Sequence, residues 1–194
     1  RDADMAALKA GIGIPLNFEC GATDEMQAIC LATKPHAVCL VPERREERTT
    51  EGGLDVVGDD NRLAAFIAPL RDAGARVSLF ISHDARQIEA AARIGAAVVE
   101  LHTGLYSNLH AEGRMDEVDA ELDALRRGAE LAGRLGLEVH AGHGLTYENV
   151  APIAAIPQVM ELNIGHFLIG EAIFVGLGPA IEEMRCRMDL ARDL

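Results

Sequence analysis

The chain has 194 residues, of which 49% are hydrophobic and 25% are charged, and its formal net charge at pH 7 is −13. This length fits one domain, residues 1–194, with a sizeable core. The acidic balance argues against nucleic acid or an anionic membrane surface as a partner, because both require a basic protein surface. No apolar run reaches the roughly 18 residues of a membrane span. The four cysteines show no CxxC spacing, so we expect reduced, buried thiols and a cytoplasmic location.

Apolar periodicity predicts strands that alternate with helices along the chain. The predicted strands are Ile14–Cys20, Ala37–Val41, Arg76–Ile81, Ala96–His102, Leu137–Ala141 and Val159–Ile164. The predicted helices are Asp2–Ala10, Thr23–Thr33, Asn61–Ala73, Asp84–Ile94, Met115–Leu135, Tyr147–Ala155 and Leu177–Leu194. Two polar segments, Glu43–Gly58 and Thr103–Gly113, are predicted to be loops.

Strands that are separated by helices run parallel and are joined by right-handed crossovers. This pattern fits either a (β/α)8 barrel or a doubly wound sheet. Gly-x-Gly-x-x-Gly is absent after the first strand, which disfavours a dinucleotide-binding fold. The first predicted helix has no strand before it, and six strands are two fewer than a closed barrel needs. We therefore expect a (β/α)8 TIM barrel with extra helices, represented here by strands 3–8 and lacking its first two βα units.

Two of the predicted strands end in the same dipeptide, Gly142-His143 and Gly165-His166. More glycine and a segment of helical pattern follow each of them. A strand, a glycine-rich turn and a helix together direct backbone N–H groups at an anion, and parallel barrels commonly bind phosphate after strands seven and eight. We predict that the turns 142–146 and 165–170 bind a phosphate. The alternative is that these glycines only allow tight turns.

Alternation along the strands predicts which polar side chains point into the barrel. Glu19 on the first strand, and Glu100 and His102 on the fourth, are expected to face inward near the carboxyl ends of the strands. Inward carboxylates are costly unless they are paired or used in chemistry, and carboxylates beside histidines suit proton transfer next to a carbonyl group. The structural alternative is an ion pair with an arginine. His140 and Asn163 are further inward candidates.

His140 and His143 have the HxxH spacing of some metal ligands. The residues between them read as a strand and a glycine turn, whereas HxxH ligand pairs usually lie on a helix. We therefore predict no metal site.

Five segments of the chain resemble the pyridoxine 5′-phosphate synthase family. They are Asn17–Glu19, Thr33–Val56, Glu100–Ser107, His140–Val150 and Glu161–Gly170, and the strings TTEGGLDV and AGHGLTY are the most specific. The resemblance implies a (β/α)8 barrel that assembles as dimers into a homo-octamer, without a metal or organic cofactor. It also implies the condensation of 1-deoxy-D-xylulose 5-phosphate with 3-amino-2-oxopropyl phosphate to pyridoxine 5′-phosphate, with release of phosphate and water.

The resemblance implies roles for individual residues. Glu19 matches the acid/base glutamate of the family, His143 its proton donor, and Glu100 the glutamate that stabilises the transition state. The matched substrate contacts are Thr49 for the deoxyxylulose phosphate, and Gly144, Gly165 and His166 for the amino-ketone phosphate. The loop Glu43–Gly58 would close over the substrates as a mobile lid. The family's Asn-x-Asp-His and His-x-Arg strings are absent from these 194 residues, so we expect the chain alone to be inactive.

Two other functions remain open from the residues. A metal-dependent phosphosugar epimerase or aldolase barrel would use similar phosphate turns, with histidines and carboxylates on a divalent metal ion. A truncated barrel that only binds a ligand or assembles, without catalysis, also fits.

Overall fold

The computed structural model describes residues 1–43 and 52–193, in which helices and strands alternate. The strands are β1 (Asn17–Cys20), β2 (Ala37–Leu40), β3 (Arg76–Ile81), β4 (Val98–His102), β5 (Glu138–Gly142) and β6 (Val159–Asn163). The helices are α1 (Asp2–Gly11), α2 (Asp24–Thr33), α3 (Asp60–Asp72), α4 (Ala85–Arg93), α5 (Gly104–Ala111), α6 (Met115–Arg134), α7 (Val150–Ala154), α8 (His166–Val175) and α9 (Leu177–Leu190). All six predicted strands are confirmed, with boundaries shifted by up to three residues.

The six strands form one parallel sheet in chain order, β1 to β6. Chain order is what helical crossovers between neighbouring parallel strands produce. Among the described residues, β1 bonds only to β2, and β6 only to β5, so the sheet is open. The prediction that the first and last strands do not pair with each other is confirmed.

The core lies between one face of the sheet and the helices. Ten strand side chains on this face are at most 2% exposed: Val38, Leu40, Val77, Leu79, Ile81, Val99, Leu101, Val139, Ala141 and Val159. Burying each of the larger ones contributes about 1.5–3 kcal/mol relative to leaving it in water. Because side chains alternate along a strand, the residues between them point to the opposite face of the sheet, where the polar groups gather.

The segment Thr103–Gly113, which was predicted to be a loop, contains helix α5, so that prediction is wrong. Its apolar residues Tyr106 and Leu109 are buried at helical spacing. The Tyr106 hydroxyl donates a hydrogen bond to the Asn149 carbonyl at 2.8 Å, which fastens α5 to the start of α7. The glycines at both ends of the segment gave it the composition of a loop.

Several apolar side chains near β6 are exposed. Met160 of β6 is 68% exposed, and Ile169, Ile173 and Phe174 of α8 are 61%, 79% and 85% exposed. We call these four residues the α8 surface. Helix α8 has no buried residue, although a helix this apolar normally lies inside a protein.

Three of the four cysteines are buried as expected, but Cys186 is exposed. Within the described ranges, no helix is long and apolar enough to cross a lipid bilayer.

Candidate active site

A cavity of about 1120 Å³ opens where the strands end. Six of the seven predicted site residues line it: Glu19, Glu100, His143, Gly144, Gly165 and His166. The seventh, Thr49, lies outside the described residues. These six residues come from β1, β4, the turn after β5 and the start of α8, so only the folded sheet brings them together.

Glu100 lies on the cavity floor and is only 4% exposed. The Asn163 Nδ2 group donates a hydrogen bond to Glu100 Oε2 at 2.7 Å, and the Cys39 thiol points at the same oxygen from 3.6 Å. Burial raises the pKa of Glu100 to about 7, the hydrogen bond from Asn163 opposes that rise, and the nearby charge of Glu19 adds to it. Such a carboxyl group can both give and accept a proton near neutral pH.

Glu19 ends in the same cavity, from the edge strand β1. Its register partner on β2 is Cys39, which places Glu19 on the same side of the sheet as Glu100. The predicted inward direction of both glutamates is therefore confirmed. None of the arginine ion pairs among the described residues involves Glu19 or Glu100, so the structural alternative is not found there.

His143 follows β5 in a strained backbone conformation with φ +82°. A positive φ is unfavourable for a residue with a side chain, and it persists only where neighbours enforce it. Thr103 provides that restraint: its hydroxyl lies 2.7 Å from the carbonyl oxygens of both Gly142 and His143, and its N–H donates to the Gly142 carbonyl at 2.8 Å. Thr103 itself is fully buried.

The His143 ring belongs to a small aromatic group in the cavity. It stacks on the His102 ring with centroids 5.0 Å apart and planes inclined by 29°. The Phe80 ring meets His102 edge-on at 4.9 Å. These contacts limit the directions that the His143 imidazole can take.

The turn after His143 is built around Gly144. Gly144 has φ +84°, and a Cβ atom there would lie 2.7 Å from Ser107 Cβ, so the fold itself requires glycine. The Asn149 side chain closes the turn by accepting a hydrogen bond from the Thr146 N–H at 2.8 Å. Helix α7 begins only at Val150, so the first predicted phosphate turn offers amides of the turn and no helix N-terminus.

The second predicted phosphate turn is shorter than expected. Gly165 is the N-cap of α8, and Gly170 lies inside that helix, so the prediction of a turn through residue 170 is wrong. The first turn of a helix carries unpaired N–H groups and a partial positive charge. Gly165 and His166 therefore place the N-terminus of a helix, with its unpaired N–H groups, at the cavity.

The predicted lid, Glu43–Gly58, is only partly within the described residues. Its second half is fixed to the sheet: Leu54 is 2% exposed, and its N–H donates to the Phe80 carbonyl at 2.8 Å. The N–H groups of Val56 and Val57 donate to Gln87 Oε1 at 2.7 and 3.1 Å. The expectation of a mobile loop is therefore wrong for residues 52–58.

His140 does not join His143 at the cavity. Its Nε2 atom lies 2.8 Å from Glu138 Oε1, and Glu138 also bonds to Arg76 at 2.8 Å. Within residues 1–43 and 52–193, no group of three or more histidine, cysteine, aspartate or glutamate residues is arranged to hold a metal ion.

Comparison with known proteins identifies the family of this chain. A sequence model of the family described as pyridoxal phosphate biosynthesis protein PdxJ matches residues 1–190. The chain belongs to this PdxJ family. The curated relatives that it matches carry the name pyridoxine 5′-phosphate synthase. One from Cereibacter sphaeroides is 71% identical over 193 residues, and one from Jannaschia sp. is 69% identical over 192 residues. The alignments cover 100% and 99% of this chain, and 77% of each relative.

Solved structures of low sequence identity share the fold of this PdxJ chain. Deoxyribose phosphate aldolase from Aeropyrum pernix matches with a TM-score of 0.61 at 14% identity, covering 95% of this chain and 75% of the aldolase. A xylose isomerase domain protein from Planctomyces limnophilus matches with a TM-score of 0.55 at 17% identity, covering 88% and 69%. The sheet is thus a curled half-barrel of parallel strands, similar to TIM-barrel aldolases.

Sequence reasoning missed two supporting residues of this PdxJ cavity, Cys39 and Thr103. Alternation along β2 could have placed Cys39 beside Glu19, because both are inward positions. Nothing in the sequence indicated that the Thr103 hydroxyl restrains the turn at His143.

Proposed function

We propose that this protein is a pyridoxine 5′-phosphate synthase that condenses 1-deoxy-D-xylulose 5-phosphate with 3-amino-2-oxopropyl phosphate. The observation that carries the proposal is the convergence of Glu19, Glu100 and His143 on one cavity beside the N-terminus of α8. The 71% identity to a relative of that name supports the same conclusion.

The reaction begins when the amine of one substrate attacks the ketone of the other and forms a Schiff base with loss of water. Loss of phosphate, a further elimination of water and ring closure follow. Each step moves a proton, which explains why several acid/base groups line one cavity. In our proposal Glu19 exchanges protons as acid and base, His143 donates a proton, and Glu100 stabilises the charge that develops in the transition state.

The substrate phosphates occupy the mouth of the cavity. Gly144, Gly165 and His166 contact the amino-ketone phosphate, with the amides at the start of α8 supplying donors. The deoxyxylulose phosphate contacts Thr49, which lies in the part of the chain that the structure does not describe. The cavity is large enough for both substrates, since its volume of about 1120 Å³ exceeds the usual size of a small-molecule pocket.

We further propose that residues 1–194 are one domain with strands 3–8 of an eight-stranded barrel. The open edges of β1 and β6 support this, because two more strands between them would close the sheet. The 194 residues do not contain those strands, so we propose that the chain alone is inactive. We also propose a cytoplasmic enzyme that assembles as dimers or as an octamer without an organic or metal cofactor, and the exposed α8 surface supports assembly.

The test uses protein expressed from the complete coding sequence, supplied with both substrates. We expect pyridoxine 5′-phosphate by mass spectrometry, with one phosphate released per product. Glu19→Gln should lower turnover by roughly 10²-fold or more, the usual scale for loss of an acid/base group. Gln27→Leu is the control, because the Gln27 side chain donates a hydrogen bond to the Phe66 carbonyl of α3 and does not line the cavity formed by the described residues. Absence of product from the wild type, or wild-type turnover in Glu19→Gln, would contradict the proposal.

A further inference from the structure

Asn163 reaches Glu100 across an intervening strand. Glu100 lies on β4 and Asn163 on β6, and β5 runs between them. The residue of β5 at the crossing point is Gly142, which is in register with Asn163. A Cβ atom on Gly142 would lie 2.4 Å from Glu100 Oε1 and 2.8 Å from the Asn163 carbonyl oxygen. The missing side chain at Gly142 therefore leaves the space through which the two residues meet.

The two oxygens of the Glu100 carboxylate have different surroundings. Oε2 accepts from Asn163 Nδ2 at 2.7 Å and from the Cys39 thiol at 3.6 Å. Burial raises the pKa of Cys39, so the thiol keeps its proton and remains a donor. Oε1 receives no hydrogen bond from any residue in the described ranges. The donors thus hold one oxygen and leave the other for a substrate.

We infer that Asn163 is a positioning residue of this site, which holds Glu100 by Oε2 and presents Oε1 to the substrate. The inference rests on the proposed function, because it assigns to Asn163 the orientation of a group in that reaction. An amide N–H donor favours a carboxylate over a carboxylic acid. Asn163 therefore also sets the pH range in which Glu100 is ionised.

The titratable groups around Glu100 explain why the hydrogen bond from Asn163 affects the pKa of Glu100. Glu19 from β1 and Glu161 from β6 both disfavour ionisation of Glu100. Cys39 faces it from β2, His140 is its register partner on β5, and His102 and His143 share the cavity. Loss of the Asn163 donor would leave burial and two neighbouring carboxylates opposing the charge on Glu100.

The experiment titrates Glu100 directly in the full-length enzyme by infrared difference spectroscopy, with Glu100→Gln identifying its carboxyl band. In Asn163→Leu, which removes the donor, we expect the midpoint to rise by about one to two pH units, the scale of one charge-assisted hydrogen bond. Asn163→Asp is nearly isosteric and should raise it too, because two adjacent carboxyl groups hold a shared proton. The control Gln27→Leu removes a half-buried amide away from the cavity and should leave the midpoint unchanged.

Kinetics give a second result. In both Asn163 variants, the acidic limb of the kcat/KM profile should move upward with the midpoint, and kcat should fall more than KM changes. If the Glu100 midpoint is unchanged in either folded Asn163 variant, the inference is wrong. An unchanged pH profile of kcat/KM in an Asn163 variant that retains activity would also overturn it. The titration needs no substrate, so a wild-type enzyme that forms no product would refute the proposed function while the midpoint still decides whether Asn163 controls Glu100.

Discussion

At the scale of single residues, the cavity places a carboxyl group where water would normally be needed to support its charge. Glu100 is 4% exposed and has an amide and a thiol as hydrogen-bond donors to one oxygen. Burial of a charged group without full compensation costs stability, and active sites accept that cost for reactivity. Strand alternation predicted that Glu100 points inward. It could not predict that Glu100 is buried, because burial depends on how the neighbouring strands pack around the side chain.

Replacing Glu100 with glutamine should stabilise the protein, most clearly at high pH. The pKa of Glu100 rises from 4.5 to about 7 on folding, so the folded state holds the proton more tightly than the unfolded chain. Its favourable contribution is complete below pH 4.5 and is lost as the pH rises through about 7. Relative to wild type, the free energy of unfolding of Glu100→Gln should therefore increase between pH 4.5 and pH 8, by on the order of 3 kcal/mol. Urea unfolding at both pH values measures this, and an equal difference at both would contradict it.

At the scale of elements, the two glycines Gly144 and Gly165 of the turns that are predicted to bind phosphate differ in why glycine occupies the position. Gly144 has φ +84° and no room for a Cβ atom, whereas Gly165 has φ −105° and nothing within 4 Å of an added Cβ. The fold therefore explains Gly144 but not Gly165. The sequence predicted both turns from the repeated Gly-His pair, but it could not separate them, since the distinction depends on Ser107 of α5 packing against the first turn only.

Gly165→Ala should separate binding from stability. We expect the free energy of unfolding to stay within about 1 kcal/mol of wild type or to rise, because alanine restricts the unfolded chain. The KM for the amino-ketone phosphate should increase about tenfold or more, since the new methyl group stands where the phosphate approaches the amides. Gly144→Ala is the contrasting variant and should lose stability. A Gly165→Ala enzyme with unchanged KM would remove Gly165 from the phosphate site.

Thr103 should be needed for the conformation of His143. Thr103→Val removes the hydroxyl that lies 2.7 Å from two carbonyl oxygens but keeps the shape of the side chain. We expect the free energy of unfolding to fall by about 1–3 kcal/mol, and kcat to fall because the His143 ring loses its fixed direction. Thr103→Ser retains the hydroxyl, so its free energy of unfolding and its kcat should both be close to those of the wild type. Equal kcat in the Thr103→Val and wild-type enzymes would show that the conformation of His143 does not depend on the Thr103 hydroxyl.

At the scale of the whole molecule, within residues 1–43 and 52–193, the sheet has two unpaired edges, and helix α8 exposes the apolar side chains of Ile169, Ile173 and Phe174. Strand number, order and direction followed from the alternation of apolar segments, because helical crossovers allow few arrangements. Helix α5 could not be predicted in this way, because the polar residues and glycines of its segment concealed the apolar spacing of Tyr106 and Leu109. Exposed apolar surface beside an open strand edge favours association.

The 194-residue chain should therefore self-associate through the α8 surface. Sedimentation velocity at micromolar concentration should show species larger than the monomer, and Phe174→Glu should reduce them, because Phe174 is 85% exposed at the centre of α8's apolar C-terminal turn. Met115→Glu is the control: Met115 is 51% exposed at the start of α6, where an acidic residue suits the helix dipole. A monomeric wild type, or equal effects of both variants, would contradict this expectation.

The most direct test of the central claim, that the cavity at the strand ends is the active site, is a crystal structure with 3-amino-2-oxopropyl phosphate bound. We predict that its phosphate lies against the amides of Gly165 and His166 at the start of α8, with its amine and ketone groups between Glu19, Glu100 and His143. A substrate bound elsewhere on the molecule, with this cavity empty in the same crystal, would contradict the account.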